Sequence, residues 1–207
     1  VTQPTAITAT ATSSPASCFG SATGTASVTP SGGSPAYTYN WTGNLGTSQM
    51  ANNVGAGTYS VTVTDSHGCT AVANTTVTQP TNLTATATAT NVSCNGGSNG
   101  AVTVTPSGGT SGYTYSWAPG PGTTNSRSGL AAGTYVVTVT DARGCTRTVS
   151  STVTQPNPFT LAPTTTAAVC GSSNGGVSVT AAGGSGAISY QWSNGRTTSS
   201  ITGLAAG

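Results

Sequence analysis

The 207-residue chain has no lysine and no glutamate, and charged residues make up only 3% of it. Ordinary soluble domains carry roughly 25%. The cations are Arg127, Arg143, Arg147 and Arg196, the anions are Asp65 and Asp141, and His67 is the one histidine. A net charge of +2 spread this thinly is too weak to steer the chain to nucleic acid or to an anionic membrane. Catalysis needs converging ionisable groups, and hydroxyls without a neighbouring base are not nucleophiles. We therefore expect no enzyme and no cofactor. No run approaches the ~20 apolar residues of a membrane span, so membrane insertion is not expected. No leader segment is recognisable, because Val1 already stands inside a phrase that recurs later.

What is present is threonine above all, followed by glycine, serine and alanine. Such a composition could belong to a disordered stalk, because polar tracts bury too little to offset ordering entropy. Against that stand seven Tyr, three Trp and many Val, placed with a two-residue period. Strands need that period and disorder does not.

The chain is a repeat. Cys18, Cys94 and Cys170 lie 76 residues apart, Asp65 recurs as Asp141, Cys69 as Cys145, and Gln79-Pro80 as Gln155-Pro156. Trp41 recurs as Trp117 and Trp192. Copies are read at 5–80, 81–156 and 157–207, after residues 1–4 (VTQP), the closing words of a preceding copy. The third copy stops at ITGLAAG, where the others run on into TYSVTVTD and TYVVTVTD. This predicts a window on a longer array, whose continuation supplies a cysteine for Cys170.

A unit of this length is too long for a solenoid rung and suits a small β-sandwich. LTATATA, GAVTVTP, GYTYSW and GTYVVTVTD alternate or run β-branched, and NGGSNG, PSGGTSG, APGPG and DARG between them read as turns. The expectation is all-β: tandem immunoglobulin-like antiparallel sandwiches of about seven strands each, arranged like beads on a string. The pleat puts Tyr135, Val137 and Val139 on one face, as it does Tyr59, Val61 and Val63. These, with Trp41, Trp117 and Trp192, are the core candidates. The strand before each glycine turn adds Ala26 and Val28, Val102 and Val104, and Val177 and Val179.

Cys18 to Cys69 and Cys94 to Cys145 share a separation of 51. One bridge per copy is the economical reading, Cys18–Cys69 and Cys94–Cys145, with Cys170 left over. Closing such a loop contributes roughly 4 kcal/mol in the chain-entropy model. Structural zinc needs ligands in close pairs, which a lone cysteine at each end of a copy does not offer. Disulfides imply an oxidising compartment, secreted or on the cell surface.

Asp65 and Asp141 occupy equivalent turns, DSHGC and DARGC, and are expected to cap backbone amides there. Calcium is the rival reading, but hard cations gather several carboxylates, and metal binding is not expected. His67 becomes Arg143 in the next copy and reads as a turn residue. Tyr37, Tyr39 and Trp41, repeated as Tyr113, Tyr115 and Trp117, share a face and could form a platform for a glycan. The third copy has Ile188, Tyr190 and Trp192 there, and isoleucine replaces tyrosine more easily in a core than on a stacking surface. Asn40, Asn74, Asn82 and Asn91 fit the N-glycosylation pattern.

The order of phrases C-x-G, VTVTPSGG, YTYxW, LAAGTYxVTVTDxxGC and VTQP resembles the SprB-type repeat, named for a very large gliding-motility surface adhesin of Bacteroidota. The resemblance covers the whole chain apart from its cut end. It implies a secreted or surface-attached array of immunoglobulin-like sandwiches with no catalytic residues. Two roles follow as expectations. The array is a structural fibre, filament or stalk, whose partners are further copies of the same repeat. Alternatively it is an adhesin whose repeats bind surface glycans through avidity.

Overall fold

The computed structural model describes residues 5–206; the expected tail of a preceding copy, residues 1–4, lies outside them. The described residues hold strands and turns and no helix. They form two compact units. The first comprises the residues up to Thr86 together with Val104–Asn125 and Val137–Val149, and the second comprises Ala87–Thr103, Ser126–Val136 and the residues from Ser150 on. The division therefore runs through the second copy rather than between copies.

In the first unit, residues 5–80 supply β1 (Thr8–Ser14), β2 (Gly24–Ser31), β3 (Thr38–Trp41), β4 (Met50–Val54), β5 (Gly57–Thr64) and β6 (Thr70–Val77). They make two three-stranded antiparallel sheets, ordered β1-β2-β4 and β3-β5-β6. One apolar cluster joins the sheets: Ala26 and Val28 of β2 pack with Trp41 of β3, Val61 and Val63 of β5 and Ala73 of β6. Alternation decides which residues enter it. Along β5, Val61 and Val63 are fully buried while Thr62 and Thr64 between them are half-exposed. Each buried valine contributes about 1.5–3 kcal/mol.

Six strands form in this copy, close to the expected count of about seven. Between β3 and β4 the chain turns, with Gly43, Asn44 and Gly46 at positive φ of 70°, 59° and 89°. Gly24 opens β2 at a crossing that admits no side chain. A Cβ there would lie 2.5 Å from Val77 Cγ1 and 2.9 Å from the carbonyls of Ser14 and Val54.

The second copy repeats the pattern with β7 (Thr84–Thr90), β8 (Gly100–Ser107), β9 (Thr114–Ala118), β10 (Ser126–Leu130), β11 (Gly133–Thr140) and β12 (Thr146–Val153). Its sheets are ordered β10-β8-β7 and β12-β11-β9, the same order strand for strand. The third copy, in the second unit, shows β13 (Thr160–Thr166), β14 (Gly175–Ala182) and β15 (Ser200–Leu204) in one antiparallel sheet. Among its described residues there is no counterpart of β5 or β11.

That difference shows in the third copy's core. Val177, Val179 and Trp192 are half-exposed rather than buried, and Phe159 is 54% exposed. A groove of about 310 Å³ opens between Phe159, Leu161, Val179, Ile188, Tyr190 and Trp192. Trp192 thus departs from the buried position expected for it, because no strand lies across it. Its indole N–H still donates to Thr198 O at 2.7 Å.

Candidate interface between consecutive repeats

The pleat of β3 and β9 turns the aromatic run inward. Trp41 and Trp117 are 4% and 6% exposed, and their indole N–H groups donate at 2.9 Å to the carbonyls of Ser48 and Thr124. Tyr37 and Tyr39 are half-buried against the core cluster, and the Tyr37 hydroxyl donates to Gly32 O at 2.6 Å. Tyr113 makes the same bond to Gly108 O at 2.6 Å, and Tyr115 is likewise half-buried. Tyr59 is half-buried, its hydroxyl reaching Gly55 O at 3.0 Å. Tyr135 is half-buried too and lies beneath the Arg127 guanidinium, 5.7 Å from its ring centroid. Val137 and Val139 are fully buried.

Each of the first two copies has two poles, and the chemistry lies at these ends. The turn pole carries the DxxGC turn, after β5 in the first copy and after β11 in the second. Asp141 is 4% exposed there, and its carboxylate accepts the amides of Thr110, Arg143 and Cys145, each at 2.9 Å. Burial pushes its pKa up, but those amides and the Arg143 charge together outweigh burial and hold it below the usual carboxylate range. Asp65 accepts from Ser34, His67 and Cys69 at 2.9–3.0 Å; the Ser34 amide is the largest cause of its lowered pKa. The second glycine of each SGG word stands against this carboxylate. Gly109, at φ +64°, would place a Cβ 2.6 Å from Asp141 Oδ2.

The loop pole carries the first cysteine of each copy, between β1 and β2 in the first. The Ser17 amide donates to Thr23 Oγ1 at 2.7 Å, and the Cys18 amide to Ser21 Oγ at 3.1 Å. The Gly20 amide reaches Gln79 Oε1 at 2.7 Å. In the second copy the Gly96 amide reaches Gln155 Oε1 at 2.9 Å. Sequence reasoning missed these glutamines, although their place in both VTQP phrases was visible.

These poles meet between the first and second copies. Cys18 is bonded to Cys145, 127 residues away in sequence, and Cys69, Cys94 and Cys170 are free and exposed. This overturns the expected pairs Cys18–Cys69 and Cys94–Cys145. Cys18 lies beside Gln79, which follows β6, whereas Cys69 immediately precedes β6. Eight strand residues at about 3.3 Å each put some 25 Å between those positions, and a disulfide tolerates only about 4.4–6.8 Å between Cα atoms. Around the bond, Arg143 Nη1 donates to Ala16 O at 3.3 Å, and Cys145 Sγ lies 3.4 Å from Ser17 O. Phe19, Thr81, Leu83 and Gly109 line the small groove beside it, about 160 Å³.

Repeated β-sheet units with buried aromatic runs and a covalent clasp from one copy to the next define a tandem-repeat protein. The SprB repeat model matches residues 10–46, 86–122 and 162–197, more than half of the chain. The chain belongs to the SprB repeat family. No curated protein matches it.

Proposed function

We propose that the chain is a structural, non-catalytic part of an extracellular fibre or stalk, built by end-to-end joining of repeats. The Cys18–Cys145 bond carries this reading, because it ties one copy to the next in addition to the peptide joint at Gln79-Pro80. A disulfide of this kind persists in an oxidising compartment, which supports a location outside the cell. The near absence of net charge supports it as well, since little like-charge repulsion keeps one repeat from another. Packing of Tyr37, Tyr39 and Trp41 into the core speaks against a glycan platform on that face and favours the fibre over direct adhesion. The natural partners are further copies of the same repeat.

Antibodies raised against the 207-residue chain test this by electron microscopy of intact, unfixed cells. Label spaced along thin surface fibres is the expected result. Label confined to the cell interior, or a chain held by glycan columns through intact Tyr37 and Tyr39, would count against it.

A further inference from the structure

The turn pole of the first copy is the positional equivalent of the surface on which the Cys18 loop sits. Thr5, Ile7, Ser34, Asp65, His67 and Cys69 line a groove of about 580 Å³. Their counterparts, one repeat on, are Thr81, Leu83, Thr110, Asp141, Arg143 and Cys145. There the Ala16–Phe19 loop is seated, and only about 160 Å³ stays open. Asp65 and Asp141 hold the two turns through equivalent amides, so the Cys69 thiol is presented as Cys145 is. His67, exposed, stands where Arg143 donates to Ala16 O, and an imidazole N–H can donate likewise.

The complementary piece occurs in each copy. At every cysteine loop, the amide preceding the cysteine is held by a side-chain oxygen: Ser17 by Thr23 at 2.7 Å, Ser93 by Asn99 at 3.0 Å, Val169 by Asn174 at 2.8 Å. Two of these loops are already engaged. The Cys18 loop sits on the second copy, and Ser93 O of the Cys94 loop accepts from Ser185 Oγ at 2.7 Å, beside Asn157, Pro158 and Phe159. The Cys170 loop is exposed.

We propose that the Cys69 pole is a docking site for the cysteine loop of another copy of this repeat, closed by a disulfide from Cys69; between molecules of the 207-residue chain that loop is the exposed Cys170 loop and the bond is Cys69–Cys170. This rests on the end-to-end reading above and names its contact. A head-to-tail contact of this type does not close on itself and propagates as a filament. The oxidant is a low-molecular-weight disulfide. The Cys170 thiolate attacks one of its sulfurs, forming a mixed disulfide and releasing one small thiol. The Cys69 thiolate then attacks the Cys170 sulfur and releases the second small thiol. Two protein thiols are oxidised, one small disulfide is reduced, and the two thiol protons end on the two small thiols at neutral pH.

The test uses the intact 207-residue chain in a reduced and oxidised glutathione buffer, over a hundredfold range of protein concentration. Non-reducing electrophoresis should show a ladder that grows with concentration, and peptide mapping should recover Cys69 linked to Cys170. Cys69→Ser and Cys170→Ser should each abolish the ladder, and Cys94→Ser should leave it. Ile7→Asp should slow ladder formation at least tenfold while a small neutral maleimide still labels Cys69 at the wild-type rate. Closure of Cys18–Cys145 in every variant certifies folding. A chain that stays monomeric throughout, or random linkage among all three thiols, would overturn the proposal. Either outcome leaves the fibre reading to be decided by the surface labelling.

Discussion

Cys145→Ser isolates the bond between copies, because Cys69, Cys94 and Cys170 are already thiols and the wild-type chain has one bridge among its described residues to lose. The bridge spans 127 residues of sequence, so the chain-entropy model assigns it about 5 kcal/mol of unfolded-state destabilisation. Little else at the joint would compensate. The Arg143-to-Ala16 hydrogen bond is worth about 1 kcal/mol, and the Phe19 ring is half-exposed even with the bond in place. We expect Cys145→Ser, Cys18→Ser and the reduced wild type to lose the same 3–5 kcal/mol, within the range for removal of a native bridge. Guanidinium unfolding followed by tryptophan fluorescence measures this, with all three curves shifted down together. Cys69→Ser is the control, and as a change at an exposed position it should stay within about 0.5 kcal/mol of wild type. If Cys69→Ser were as damaging as Cys18→Ser while Cys145→Ser were neutral, the bond would lie within the copy, and the pole-to-pole argument would be wrong.

Three further outcomes are expected. Trp117→Ala removes a nearly fully buried ring and its bond to Thr124 O, and should cost about 3–5 kcal/mol in the same unfolding assay. Gln79→Ala leaves the Gly20 amide without its side-chain partner and should cost about 1 kcal/mol, with slower closure of Cys18–Cys145 during oxidative refolding. Asp65 and Asp141 both have folded-state pKa values lowered from the ordinary carboxylate value of about 3.9. Their contribution is therefore fully present above that value and is lost as pH falls through the lowered folded values. Asp65→Asn with Asp141→Asn should flatten the acid limb of a stability-against-pH curve, and an unchanged limb would show that the amide cages do not matter.

The fold was largely legible because its signals are local. Val61 and Val63 alternate with threonine, and β5 must then bury one face whatever its neighbours do. The spacing of Cys18, Cys94 and Cys170 exposed the repeat directly. The turn between β3 and β4 was less visible, since positive φ at Asn44 is not written in its identity as plainly as at Gly43 or Gly46. The clasp could not be read from spacing at all. In a periodic chain, a bond to the turn cysteine of the same copy and a bond to that of the next copy share one set of cysteines, offset by a single period. Which one forms depends on where β6 carries the chain, and that is a property of the folded strand. Gln79 and Gln155 were in view, but a glutamine that holds a loop resembles any polar residue before a proline until the loop is placed.

The bond between Cys18 and Cys145 also redirects mechanical load. Tension applied along the chain reaches Cys18, crosses the two sulfur atoms, and leaves through Cys145. Residues 19–144, which include β2 to β11, hang inside the covalent loop and bear none of it. Pulling can peel β1 away from its neighbours but cannot draw out the hydrophobic centre of the first copy. Reduction would place that whole segment back in series with the force. The thiol–disulfide balance around the chain would then set how far it stretches before it yields.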